Sequence, residues 1–125
     1  MRNRTHGHRD RGAAAVEFAL VVPLLLILLL GTVEFGRAYN AQISVTAAAR
    51  EGARVMAVQD DNGAAQAATV AAAVGVSPVN VSVTPSTCSP GTNVTVTATH
   101  PFTFVAGAFG PGVTLTGRGV MRCGG

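Results

Sequence analysis

Polar and apolar residues follow three rhythms along the chain. From Ala13 to Val33 the sequence AAAVEFALVVPLLLILLLGTV is apolar on every side, and its single ionisable group, Glu17, stands near the start. At about 1.5 Å per residue this run reaches roughly 31 Å, the hydrocarbon thickness of a bilayer. It reads as a transmembrane helix. Beyond Val33 the segment EFGRAYNAQISVTAAAREGARVMAVQ has no proline and is rich in alanine, which predicts that the helix continues out of the membrane to Gln59. Ala41, Val45, Ala48, Gly52, Val55 and Gln59 recur at helical spacing as a stripe of small side chains that lets another backbone approach closely. Arg50, Glu51 and Arg54 lie opposite, with Glu51 and Arg54 spaced to pair. A helix from Ala13 to Gln59 would be about 70 Å long, suited to a stalk or a fibre subunit.

Asp60-Asp61-Asn62-Gly63 stops that helix and can cap the next, a short alanine-rich one over Ala64 to Val74 ended by Gly75 and Pro78. From Val79 the period becomes two. Val79, Val81 and Val83 alternate with Asn80, Ser82 and Thr84; Val94, Val96 and Ala98 alternate with Thr95, Thr97 and Thr99; Val113 and Leu115 alternate with Thr114 and Thr116. Three strands follow, the last extending to Arg122. Phe102, Phe104 and Phe109 fall in the long connection before the third strand, where they can cover one face of the sheet. The fold class is α+β, a long N-terminal helix with a small three-stranded antiparallel sheet packed on its stripe. The divisions are residues 1–12, a basic leader; 13–33, the transmembrane helix; 34–59, its extracytoplasmic extension; and 60–125, a small α+β head.

Charge sets the expected orientation. The formal net charge of the 125 residues is +3. All of the excess lies in the first twelve residues, where Arg2, Arg4, Arg9 and Arg11 face only Asp10; the arginines beyond are matched by Glu17, Glu34, Glu51, Asp60 and Asp61. The positive-inside rule keeps such a leader in the cytoplasm and sends the remainder across, giving a single-pass protein of the cell membrane. A cleavable signal peptide has a similar layout, and Gly36-Arg37-Ala38 would be its weak cleavage site. The apolar run is longer than a signal core and flows into further helix, which favours the membrane anchor. A signal-anchored or secreted small extracytoplasmic binding module is the alternative function.

Candidate chemistry is sparse. Cys88 and Cys123 flank the second and third strands, and outside the cytoplasm a disulfide between them would close a loop of about 36 residues and add roughly 3–4 kcal/mol. Two cysteines and the scattered His6, His8 and His100 have no metal-ligand spacing, and the Asp60-Asp61 turn lacks the remaining ligands of a calcium loop. No nucleophile, base and acid stand together and no phosphate-binding glycine loop occurs, so neither an enzyme nor a small-molecule substrate or cofactor is expected. Nucleic acid is not an expected partner either, because the chain beyond the leader is neutral. Pro23 either kinks the membrane helix or is tolerated there. Val33-Glu34-Phe35 repeats Val16-Glu17-Phe18 seventeen residues on and marks the far end of the apolar span, with Glu34 and Arg37 spaced to pair.

The junction RGAAAVEF resembles the cleavage site of type IV pilins and pseudopilins, with a glycine before the cut and a glutamate at the fifth position after it. The wider run RGAAAVEFALVVPLLLILLLGTVEFGRAYN, followed by AAAREGARVMA, is similar to the TadE/TadG-like family of tight-adherence (Flp-type) pilus assembly proteins. VTVTATHPF at 94–102 and TLTGRGVMR at 114–122 are similar to that family's C-terminal half. The resemblance implies a minor pilin or pseudopilin of a bacterial envelope machine, with other pilins and a prepilin peptidase as partners. It implies cleavage between Gly12 and Ala13, and Glu17, followed by Phe18, as the recognition and assembly residue. The part beyond the membrane is short for the larger TadG-like members, so no separate adhesive domain is expected. Without the resemblance, Glu17 reads as a solvated group in the first helical turn, favoured by the helix dipole.

Overall fold

The computed structural model describes residues 6–124. Met1 to Thr5 of the leader, with Arg2 and Arg4, and the terminal Gly125 lie outside the described residues. The elements are α1 (His6–Gln59), α2 (Asn62–Ala72), β1 (Asn80–Thr84), β2 (Asn93–Phe102), a single 3-10 turn (Gly107–Phe109) and β3 (Val113–Arg122). This is the α+β arrangement expected. The chain divides into two compact units, one ending at Phe35 and the other comprising Gly36–Gly125, with α1 contributing to both.

The first unit is helix. From Asp10 to Val33 almost every side chain is exposed, including Phe18, Leu20, Leu24 to Leu30 and Val33. An apolar surface of this kind is stable against lipid rather than water. Pro23 lies within α1, and the helix continues through it. Thr32 donates its hydroxyl proton to the Leu28 carbonyl at 2.8 Å, which satisfies the donor inside the apolar stretch. The helix begins at His6 rather than at Ala13, so the leader residues 6–12 are helical as well. The leader has no proline, and the alanines that follow Gly12 favour propagation back through its two glycines.

In the second unit the sheet order is β1-β2-β3, antiparallel throughout. β2 is central and buries Val94, Val96, Ala98 and Phe102 on the face turned to the helices. Against them α1 buries Ala41, Val45, Ala48, Ala49, Ala53, Val55 and Met56. The stripe is therefore wider than its expected members, because Ala49, Ala53 and Met56 join it, and shorter, because Gln59 is exposed. The last helical turn has run past the sheet. On β3 the expected inward positions Val113 and Leu115 are exposed and half-buried, while Gly117 and Gly119, two and four residues further along the same face, are buried. A methyl group on Gly117 would overlap the Val45 carbonyl oxygen, and one on Gly119 that of Ala49. The bare strand thus lies on the backbone of α1.

Gly52 does the same for α2, where an added methyl group would meet the Thr69 hydroxyl and the Ala65 carbonyl. That hydroxyl is fully buried and donates to Ala65 O at 2.8 Å, so no polar atom there is left unsatisfied. The Asp60-Asp61 turn divides its work. Asp61 accepts from the Ala64 amide at 2.9 Å as N-cap of α2, and Asp60, at φ 49°, accepts from the Cys88 amide at 2.5 Å. That cap draws α2 two residues forward of its expected start.

Candidate functional site

Two places carry the residues singled out by sequence, one in each unit. The junction Gly12, Ala13, Glu17 and Phe18 lies on α1, and all four residues are exposed. No heavy atom comes within 4 Å of a methyl group placed on Gly12, so packing within this chain does not call for glycine there. Gly12 instead weakens the helix locally, by about 0.5–1 kcal/mol relative to alanine. Ala13 and Glu17 are four residues apart on one helical face, a rise of about 6 Å. The stretch that follows includes the one helix among the described residues long and apolar enough to cross a membrane, and none of its most apolar window is buried by the rest of the protein.

The repeated Val-Glu-Phe triplets have different surroundings. Glu17 is exposed, whereas Glu34 is 5% exposed. Phe18 and Phe35 are both exposed. One turn beyond Glu34, the Arg37 guanidinium lies 5.3 Å from the Phe102 ring centroid, a cation-π contact within the second unit. Phe102 in turn meets Phe104 edge-on at 5.5 Å, and Phe104 lies 6.2 Å from Phe109. The three phenylalanines form a chain from the end of β2 into the connection, with only Phe102 buried.

Cys88 and Cys123 are joined in a disulfide with their Cα atoms 5.5 Å apart. The bridge sits where Asp60 holds the Cys88 amide, and the Cys123 amide donates to Thr92 O at 2.8 Å. It ties the end of β3 to the connection between β1 and β2, which Asp60 in turn holds to the turn between the helices. On the exposed side of α1, Arg54 donates twice to Glu51, at 2.9 and 2.6 Å. Those hydrogen bonds hold the Glu51 carboxyl below the usual carboxylate range. The pair's small contribution is present above the ordinary glutamate pKa and is lost as pH falls through the lowered value.

Among the described residues no three His, Cys, Asp or Glu side chains gather as a metal site. A depression of about 250 Å³ on α1, lined by Gln42, Ile43, Thr46, Ala47 and Arg50, pairs no nucleophile with a base. Sequence reasoning missed Gly117 and Gly119 as packing residues, together with Gln42, whose side-chain amide donates to Thr116 O at 2.8 Å. The signal for the glycines was present, because they continue the parity of Val113 and Leu115. Gln42 had none, since its partner is 74 residues away.

No curated protein and no solved structure matches the chain. Residues 12–54, from the junction glycine to the arginine that pairs with Glu51, match the family model of TadE-like proteins, consistent with a TadE/TadG-like protein of a tight-adherence pilus.

Proposed function

We propose that the chain is a minor pilin or pseudopilin-like component of a tight-adherence pilus or a related secretion system, anchored by a single membrane span. The leader lies in the cytoplasm, the unit Gly36–Gly125 lies outside, and the role is structural. The observation that carries this reading is the junction itself. An exposed glycine with no packing role stands directly before three alanines, a valine and a lone glutamate, at the head of a lipid-compatible helix, and the family match begins at that glycine. The arginines before it act as the topology signal.

On this reading a prepilin peptidase at the cytoplasmic face cuts between Gly12 and Ala13. Both residues lie within α1, so the scissile bond must leave the helix before it is cut. Gly12 lowers the cost of that unwinding. The cut removes the leader and its whole excess of positive charge, releasing the helix from its strongest cytoplasmic anchor. Intact mass and N-terminal determination on protein from native membranes tests the reading. The mature chain should begin at Ala13, and Gly12→Leu should retain Met1. A wild-type chain starting at Met1 beside an active prepilin peptidase rejects processing, and a start near Ala38 favours a secreted binding module.

A further inference from the structure

The sheet has one long free edge, that of β3. Thr116 O is taken by the Gln42 amide rather than by β2, so the Thr116 backbone points away from β2. By antiparallel alternation the backbone N–H and C=O groups of Thr114, Arg118, Val120 and Arg122 point the same way. Among the described residues Gln42 is the only side chain bonded to this outer row. The other edge, β1, has five residues against ten in β3. It also packs against α2. A ten-residue exposed edge is a template for an added strand unless charge or cover protects it.

Charge complementarity identifies what the edge takes. Glu51 is engaged by Arg54, Asp61 by α2 and Asp60 by Cys88. Arg50, Arg118 and Arg122 have no carboxylate partner among the described residues. Because Gly117 and Gly119 face α1, Arg118, Val120 and Arg122 project from the opposite side of the sheet. On the α1 side, the depression floored by Ile43 and Ala47 lies beside Gln42, which holds the edge. An incoming strand would turn one set of alternate side chains to the arginines and the other to that depression.

A second copy of this chain cannot be that strand. No aspartate or glutamate occurs after Asp61, so none of its strands, nor any loop between or after them, carries an acid. Two copies paired through β3 would set Arg118 and Arg122 against a strand that offers arginines and no acid.

We infer that the free edge of β3 receives an extended segment of a different envelope protein, one that alternates acidic with apolar residues. This deepens the assembly reading and rests on it for placing the partner in the envelope. A photocrosslinking phenylalanine analogue replaces Val120 in the full chain, with Ser82 on β1 as the control position, and crosslinking is carried out in native membranes. The Val120 position should capture a protein segment with acids at alternate positions, and the Ser82 position should not. Arg118→Glu should lower the yield about tenfold or more through like-charge contact, Arg118→Lys should largely keep it, and reversing the captured acid to lysine should restore it with Arg118→Glu. Arg118 is exposed, and an oxidised Cys88–Cys123 pair reports that each variant has folded. Capture of a second copy or of lipid, no capture, or a yield unchanged by Arg118→Glu overturns the proposal. The N-terminus of the same samples reads the processing step separately, so failure of one is distinguishable from failure of the other.

Discussion

Gly117 and Gly119 show how single hydrogens decide the packing of the second unit. Each faces a main-chain carbonyl of α1, so neither neighbour can rotate aside as a side chain would. Replacing Gly119 with alanine must push strand from helix and loosen the buried contacts of Val96 and Ala49, an overpacking cost of about 1–3 kcal/mol. Gly36 is the matched control. It lies in the same helix with nothing within 4 Å of an added methyl group, so Gly36→Ala should stabilise by about 0.5–1 kcal/mol. Thermal unfolding of the full chain in detergent should move in opposite directions for the two variants. An unchanged midpoint for Gly119→Ala would mean that the strand does not rest on the helix backbone.

At the level of elements, the period of the sequence carried most of the structure and the long-range contacts carried the remainder. The switch from helical spacing to alternation located α1, β2 and β3, because burial on one face imposes those periods whatever the partner is. The same period puts Gly117 and Gly119 on the face of Val113 and Leu115, but it did not reveal that the strand there rests on the backbone of α1, since a glycine has no polarity to count. Nor did it reveal Gln42 on Thr116 or Arg37 over Phe102, pairs separated too widely for any local rule. The disulfide was legible from environment rather than pattern, and it joins the connection between β1 and β2 to the end of β3. Cys88 is half-buried at the edge of the apolar cluster and held by Asp60 and the bridge, while Cys123 is buried within it beside Val94, Met56 and Ala65. Reduction should therefore free residues 85–92 first and destabilise the unit by roughly 3–4 kcal/mol by the chain-entropy estimate. Limited proteolysis should show new cleavage in that segment after reduction while the chain stays in the membrane fraction. Equal protease resistance with and without reductant would assign the bridge no stabilising role.

For the whole molecule, assembly on the proposed reading depends on Glu17, an exposed acid on an apolar helix. A charge at such a place is costly unless something compensates it. Cleavage after Gly12 would create an α-amino group on Ala13, about 6 Å up the same helical face. A neighbouring helix displaced by that rise would bring its amine to this carboxylate. In a medium of low dielectric such a pair adds little over an apolar substitute, but leaving either member alone is expensive, so its main effect is to fix the axial register between subunits. Glu17→Gln keeps the size and removes the charge. It should still insert and still be cut at Gly12, because the leader arginines and the glycine are untouched, yet it should fail to join its partner pilins. Crosslinking membranes of wild type and mutant at equal expression, then copurifying the pilins captured by each, measures this. A clear loss of captured pilin with normal processing places Glu17 in assembly. Equal capture together with normal piliation would return it to an ordinary interfacial acid, stabilised by the first helical turn alone.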